Sequence, residues 1–318
     1  MLATVAAPAK PFRLRVTPAE LEPRKAAPAQ LDAAMRPGAA FAAIAAAALF
    51  QLTANAPGVL ISDNPEFIHQ MRVALRRLRS AMQLFRTYLP QDFLVDGGAD
   101  LQWLAQVLGQ ARDHDVLITQ TLPRVLRAPS ARRAGSDERA IIAALQAPHE
   151  AACAAARKAL RSRRYRALLH ELAETVRLLG ECETPQVRGG DLRDFAARKL
   201  KAASRKLRVS PEELAALPSD PRHQFRIAAK RLRYTVEFFA PLFKNKPAQR
   251  YARHLADLQD ALGALNDHAV AQSMLATLAI DPATLQAAQA RLRDHDRSWL
   301  EQTVAAQARL LRAKPFWD

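Results

Sequence analysis

Two short segments of the chain each carry a histidine followed by three basic residues at spacings of three and four. The two sets are His69, Arg72, Arg76, Arg79 and His223, Arg226, Lys230, Arg233. Residues three and four apart lie on one face of a helix, so each set is expected to form a stripe. Like charges at this spacing repel, and neither segment holds an acidic residue from its histidine to its last arginine. The stripes therefore favour the binding of an anion.

The two segments belong to an internal repeat. The sequence over 69–116 aligns without a gap to 223–270 at an offset of 154 residues, with 15 identities over 48 positions. The offset pairs Gly109 with Gly263 and Asp113 with Asp267. We interpret the two aspartates first as structural residues, each of which orients an arginine or caps a helix. The alternative is that they contact the residues that bind the ligand. The repeat predicts a duplicated helical unit.

A third segment has the same basic spacing without a leading histidine. Its residues are Arg198, Lys201, Arg205 and Arg208. The counterpart in the first half is apolar and places Gln51 opposite Arg205, so the halves are expected to contribute unequal charge. A single basic stripe is commonly only a solvated helix face, but three stripes in one register favour a shared anion-binding role. Basic residues outside the stripes rank lower as ligands, and these are Arg77, Arg164, Arg231, Arg309 and Arg312.

Metal or catalytic chemistry has weaker support. A metal-binding histidine usually has a second ligand three or four residues later, and both leading histidines have arginine or an aliphatic residue there. We therefore expect no metal and no cofactor. The pairs His114-Asp115 and His295-Asp296 leave open an HD-type metal-dependent phosphohydrolase, although the repeat replaces Asp115 with Ala269. The chain shows no glycine-rich phosphate loop and no nucleophile elbow, and we expect no catalytic activity.

The composition points to a basic protein built from helices. The 318 residues include 47 Lys and Arg against 31 Asp and Glu, which gives a net charge of +16. A hydrophobic content of 49% excludes general disorder, and 10 glycines are few for a sandwich or barrel. Two cysteines cannot form a disulfide framework, which favours the cytoplasm. The longest apolar stretch, 39–52, is shorter than the roughly 20 residues of a membrane span, so we expect no membrane partner.

The helical period extends over most of the chain after residue 38. The predicted helices are 39–54, 64–88, 98–127, 136–161, 163–179, 191–208, 221–242, 247–276 and 282–312. Asn64 before Pro65 is a helix start signal. The predicted fold is all-α, with two four-helix-bundle-like halves that share a basic central surface. We divide the chain into a Pro- and Ala-rich tail or linker (1–37), a first helical repeat (38–186) and a second (187–318).

The repeated motifs resemble the CHAD domain, whose name stands for conserved histidine alpha-helical domain. The resemblance is carried by His-Gln-Met-Arg-Val-Ala-Leu-Arg-Arg-Leu-Arg, by Leu-Gly-Gln-Ala-Arg-Asp-His-Asp-Val and by their second copies at 223–234 and 262–270. Arg164-Tyr165 and Pro315-Phe316-Trp317 fit the same pattern, and the resemblance covers roughly 37–317. It implies two four-helix bundles related by a pseudo-two-fold axis and a basic surface that binds inorganic polyphosphate, often at polyphosphate granules. It also implies a CYTH-type triphosphatase domain as a partner, in cis or in trans.

A polyphosphate chain suits these stripes physically. Neighbouring side chains on a helix face lie roughly 5–6 Å apart and can follow a flexible chain with a charge on every unit. Arginine donates two hydrogen bonds to phosphate oxygens. The stripes offer few aromatic residues on which bases could stack, so we expect only non-specific nucleic-acid binding. The function predicted is non-catalytic polyphosphate binding, with a nucleic-acid-associated protein and the phosphohydrolase as alternatives and with a homodimer left open.

Overall fold

The fold was analysed in a computed structural model that describes residues 21–126, 134–181 and 191–317. Its α-helices are α1 (Pro37–Ile61), α2 (Pro65–Leu84), α3 (Gly98–Val116), α4 (Leu122–Leu126), α5 (Ala134–Arg161), α6 (Arg163–Glu181), α7 (Leu192–Arg205), α8 (Pro211–Ala216), α9 (Ser219–Phe239), α10 (Asn245–Leu275) and α11 (Pro282–Arg312). One-turn π-helical segments lie on either side of α3, at Phe93–Gly97 and Leu117–Thr121. The described ranges contain no strand, and the all-α prediction is confirmed.

Local sequence signals account for most helix boundaries. Asn64 caps α2, because its Oδ1 accepts the backbone N–H of Glu66 at 2.9 Å. The short helix α8 was not predicted, although Ser210 and Glu213 form a reciprocal capping box at its start. Side-chain caps mark the starts of α2, α7, α8 and α11, whereas α1, α3, α9 and α10 begin without one.

Several predicted helix ends are wrong. The helices predicted over 64–88 and 221–242 end at Leu84 and Phe239, each before a separate 3-10 turn. The first helix was expected to stop near residue 54, yet α1 continues to Ile61 with Pro57 inside it. The turn after Pro57 packs closely on α2, and a Cβ atom on Gly58 would lie 2.2 Å from the Phe67 ring. The helix predicted over 191–208 ends at Arg205 in a turn, so Arg208 lies beyond α7.

Each half builds its core from neighbouring helices. In the first half, α1 packs on α2 and α6, and α3 packs on α2 and α5. In the second half, α9 packs on α7 and α10, while α11 packs on α10 and α8. Helices such as α2, α6 and α9 are amphipathic and pack through their apolar stripes, whereas α1 carries no charged residue and is packed on several sides.

An aromatic cluster joins the two halves. Phe85 at the end of α2 stacks on Phe195 of α7 at 5.2 Å between ring centroids and meets Phe239 of α9 at 5.9 Å. Phe41 of α1 lies 6.0 Å from Phe85. The 154-residue offset pairs Phe41 with Phe195 and Phe85 with Phe239, so positions that the repeat makes equivalent meet in this core. The repeat and its pseudo-two-fold axis remain predictions.

A second apolar cluster joins the halves at another place. Leu117, Leu122 and Ile141 from the first half pack with residues of α10 and α11 such as Leu275 and Leu292. On α2 and α9, the basic rows lie N-terminal to the aromatic cluster. On α3 and α10, the paired aspartates lie N-terminal to the second apolar cluster. Apolar contacts at both places thus fix α2, α3, α9 and α10 relative to one another.

The N-terminal described segment, 21–36, is not helical but is held on the helical body. Arg24 exchanges backbone hydrogen bonds with the Asn55 side chain, at 3.0 and 2.9 Å. The backbone N–H of Leu192 donates to the carbonyl of Ala33 at 3.0 Å. The proposed boundaries at 37 and 186 remain predictions, and the second lies outside the described residues.

Helix α1 is the one described helix that is long and apolar enough to cross a membrane by length and composition. Its most apolar window has a mean hydropathy of 1.6, and half of that window is buried within the fold. The apolar helix is therefore longer than the 14-residue stretch seen in the sequence. A core helix passes the same test, so the expectation of no membrane partner stays a prediction.

Candidate functional site

The two basic rows meet because α2 packs against α9. Arg76 of α2 acts electrostatically on Arg226 and Lys230 of α9, and Asp267 of α10 acts on Arg72 of α2. We call this group the central cluster; its members are Arg72, Arg76, Arg112, Asp113, Arg226, Lys230 and Asp267. It contains five basic residues and two acidic ones. The rows therefore form one electropositive surface rather than two separate ones.

Arg72 is held in place by α3. Its Nη1 donates to the backbone carbonyl of Ala105 at 3.0 Å, and its Nη2 lies 3.9 Å from Oδ1 of Asp113. Gly109 makes room for the guanidinium, since a Cβ atom there would lie 2.6 Å from Nη1. Asp113 and Gly109 thus position an arginine, which was the first of the two roles expected for the repeated aspartates.

The second half holds Arg226 less tightly. Its Nη2 donates to Nδ1 of His223 at 3.4 Å, and its Nε is buried without a hydrogen-bond partner. Gly263, which the offset pairs with Gly109, has open space where a side chain would start. Arg226 also borders a cavity of about 350 Å³, which is lined by the basic residues Arg222, His223 and Arg297 and also by Asp296 and three leucines. This end of the cluster has donors and room for an anion.

Burial and neighbouring charges strongly perturb Lys230. Burial, together with Arg226 and Arg76, lowers the pKa of Lys230 from 10.5 to about 7, even though Asp267 opposes the shift. Burial also raises the pKa of Asp113 and Asp267, while their arginine neighbours act in the opposite direction. These shifts indicate that cations are held in the cluster at an electrostatic cost, which a bound polyanion would remove.

The histidines that lead the two rows differ in environment. His69 is half-buried, and burial followed by the charge of Arg112 lowers its pKa. His223 is exposed at the rim of the cavity. The last residues of the rows, Arg79 and Arg233, are exposed, and Arg233 donates to Oε1 of Gln259 at 3.0 Å. The rows thus run from a half-buried centre to an exposed end.

The third row is not brought into the central cluster. Arg198, Lys201 and Arg205 lie on the exposed side of α7, and the strongest electrostatic neighbours of the cluster come from α2, α3, α9 and α10. Arg208 lies past the helix end and acts on Tyr251. In the first half, Gln51 is buried and donates to Gln70 at 2.8 Å. This arrangement agrees with the expectation that the two halves contribute unequal charge.

Arg77 has a structural place. Its side chain is 2% exposed, forms an ion pair with Glu237 of α9, and donates to the carbonyl of Ala27 at 3.2 Å. Its guanidinium also lies 5.5 Å from the centroid of the Phe238 ring. Arg77 joins α2, α9 and the N-terminal segment, and we leave it out of the ligand surface.

The other lower-ranked basic residues are exposed and lie apart from the cluster. Arg164 donates to Asp100 at 2.7 Å and stacks over Trp103. Arg231 is exposed on α9, off its row. Arg309 lines a shallow cavity together with two aspartates of α10, and Arg312 donates to the backbone of its own helix. The structure gives these residues no common surface with the rows.

The two His-Asp pairs of the sequence each have other partners. Asp115 accepts from Nε2 of His149 at 2.9 Å, and the same nitrogen lies 3.4 Å from Sγ of Cys153. Asp296 accepts from Nδ1 of His268 at 2.9 Å. Over the described ranges, no three His, Cys, Asp or Glu side chains are grouped as a metal site.

Two basic residues of the candidate site, Arg112 and Arg222, were not predicted from the sequence. Arg112 belongs to the central cluster through its effect on His69 and Arg72, yet the repeat has Asn266 at the paired position. Arg222 enters the cavity beside Arg226 and lies one residue before the second row. Arg112 could have been recognised from its position next to Asp113, which the predicted repeat preserves as Asp267.

The fold and the site together define an all-helical protein whose basic surface is shared by two helices. The chain belongs to the CHAD domain family, whose model matches residues 43–276. It is 30% identical to the CHAD domain from the plant Ricinus communis, whose crystal structure gives a TM-score of 0.77 with 93% of this chain and 99% of that chain covered. PptA from Streptomyces chartreusis has the same fold at 20% identity, with a TM-score of 0.61 and coverage of 90% and 99%. No curated protein matches the chain.

Proposed function

We propose that this protein binds inorganic polyphosphate, without chemical conversion, on the surface formed by α2 and α9. The observation that carries the proposal is the central cluster, in which cations of both rows lie side by side and outnumber the acidic residues five to two. A linear polyanion can contact both rows at once, and each phosphate it brings offsets the repulsion among the arginines. Membership in the CHAD family supports the same ligand.

The geometry favours a flexible chain over a single phosphate. The rows run over several helical turns, from the half-buried Arg72 and Lys230 to the exposed Arg79 and Arg233. A compact anion would reach only a part of this length, whereas a chain can place one phosphate near each side chain. Duplex DNA is stiff, so fewer of its phosphates can approach both rows at once, and it should bind more weakly than polyphosphate of equal charge.

Calorimetric titration with long-chain polyphosphate tests the proposal. The double variant Arg72→Gln/Arg226→Gln should bind at least about tenfold more weakly than wild type, because each arginine supplies a charge-assisted hydrogen bond. Arg139→Gln/Arg293→Gln, two exposed residues on α5 and α11, removes the same charge as a control. If the Arg72→Gln/Arg226→Gln variant does not fold, the variant Arg79→Gln/Arg233→Gln repeats the test with exposed members of the same rows. Equal losses in the control, or duplex DNA competing as well as polyphosphate, would refute the proposal.

We further propose that binding retains the protein at polyphosphate granules in the cytoplasm. A fluorescent fusion should colocalise with stained granules, and the colocalisation should be lost in the Arg72→Gln/Arg226→Gln variant. A wild-type fusion that stays diffuse in cells with abundant granules would contradict this part of the proposal.

A further inference from the structure

A second basic cavity lies away from the central cluster, where three segments of the second half meet. It encloses about 470 Å³ and is lined by Arg193 of α7, by residues at the start of α10 and by the segment that follows α11. Its five basic residues are Arg193, Lys244, Lys246, Arg250 and Lys314. No acidic residue lines the cavity within the part of the chain that the structure describes. Such a convergence of like charges favours a polyvalent anion.

An aromatic floor fixes the shape of this cavity. Phe316 packs edge-on against Phe243 at 5.4 Å and against Tyr251 at 5.9 Å. Trp317 packs against Tyr251 at 4.9 Å and is buried. These contacts hold the segment after α11 on the start of α10, and Lys314 is carried there with it. The Arg193 guanidinium lies 5.4 Å from the centroid of the Phe243 ring, which keeps it at the same mouth.

The charge of this cavity is specific to the second half. The 154-residue offset pairs Lys246 with Asp92 and Arg250 with Asp96. The predicted repeat therefore does not carry these two basic residues in its first copy. The basic residues are explained by a ligand more readily than by the fold.

From the basic cavity and its fixed aromatic floor, we infer a second anion site that binds an oligophosphate group, independently of the surface on α2 and α9. The inference does not rest on the proposed function. The group has two sources, a free short oligophosphate or a segment of a long chain. Arginine and lysine side chains around a concave floor suit a compact ligand with several negative charges.

Fluorine NMR of the full chain labelled with 5-fluorotryptophan tests the inference. The three tryptophans, Trp103, Trp299 and Trp317, lie in different parts of the fold, and the variant Trp317→Phe assigns the resonance beside the cavity. Tripolyphosphate should shift the Trp317 resonance to saturation in wild type and equally in Arg72→Gln/Arg226→Gln. The variant Lys246→Gln/Arg250→Gln should need at least about tenfold more tripolyphosphate for the same shift.

Calorimetry of the same variants measures tripolyphosphate binding without relying on the Trp317 resonance. Lys246 and Arg250 are both exposed, and the control is again Arg139→Gln/Arg293→Gln. Unchanged affinity for tripolyphosphate in Lys246→Gln/Arg250→Gln would overturn the second site, whatever the central surface does. Weaker but not abolished long-chain binding in the same variant would identify a segment of a long chain as the source, and weaker tripolyphosphate binding alone would identify the free oligophosphate.

Discussion

Lys230 should make polyphosphate binding depend on pH. Burial, Arg226 and Arg76 hold its pKa at about 7, so roughly half of the side chains are neutral at that pH in the free protein. A bound polyanion favours the charged form and raises this pKa. Binding above pH 7 therefore takes up a proton, and affinity should fall by up to about tenfold for each pH unit until the pKa of the complex is reached.

Calorimetry at pH 6, 7, 8 and 9 with long-chain polyphosphate measures this dependence, and buffers of different ionisation enthalpy report the proton uptake. The matched variant is Lys230→Arg, which keeps the charge without a titration in this range and copies Arg76, its counterpart in the first row. Burial and Arg112 lower the pKa of His69 in the free protein, and Lys230→Arg keeps both leading histidines, so any contribution that they make remains in the profile of that variant. A flat profile in wild type, or the same slope in Lys230→Arg, would refute the reasoning.

The lowered pKa of Lys230 also makes the stability of the ligand-free protein depend on pH, but stability rises with pH where the binding affinity falls. The unfolded chain binds the Lys230 proton with the ordinary pKa of 10.5, and the folded protein binds it with a pKa of about 7. Unfolding therefore takes up a proton between these values, and the contribution of this group to stability rises with pH across the window. It is smallest below pH 7, where the buried lysine is charged.

Three further outcomes are expected. Gly109→Ala should displace the Arg72 guanidinium and weaken polyphosphate binding by about tenfold, whereas Gly263→Ala has open space and should leave the calorimetric affinity within about twofold of wild type. Arg77→Met should lower the free energy of unfolding in urea by about 2–3 kcal/mol, because Glu237 loses its partner; an unchanged value would contradict the structural role. The logarithm of the affinity should fall with the logarithm of the salt concentration, with a slope of about −4 for six phosphate contacts, and a slope of zero would exclude the basic rows as the site.

Helical periodicity determines which residues of one helix share a face, so the sequence could place the rows of α2 and α9 on single helix faces. It separated Arg76, which enters the central cluster, from Arg77, which falls off the row and is buried against Glu237. Asn64 and Pro282 marked helix starts correctly, since a cap or a proline acts within one turn.

Contacts between helices could not be predicted in the same way. The rows contain no acidic residue, yet Asp113 and Asp267 reach them from α3 and α10 and offset part of their charge. Pro57 did not end α1, because the turn that follows it is packed on α2. Periodicity placed Arg208 on a continued helix, and the turn after Arg205 removes it from the row. Each of these outcomes depends on tertiary packing.

A crystal structure of the complex with polyphosphate would test the central claim most directly. The account predicts one continuous chain of phosphates that contacts Arg72 or Arg76 on α2 and Arg226 or Lys230 on α9 within the same molecule. Polyphosphate bound only elsewhere, with the central cluster unchanged, would contradict it.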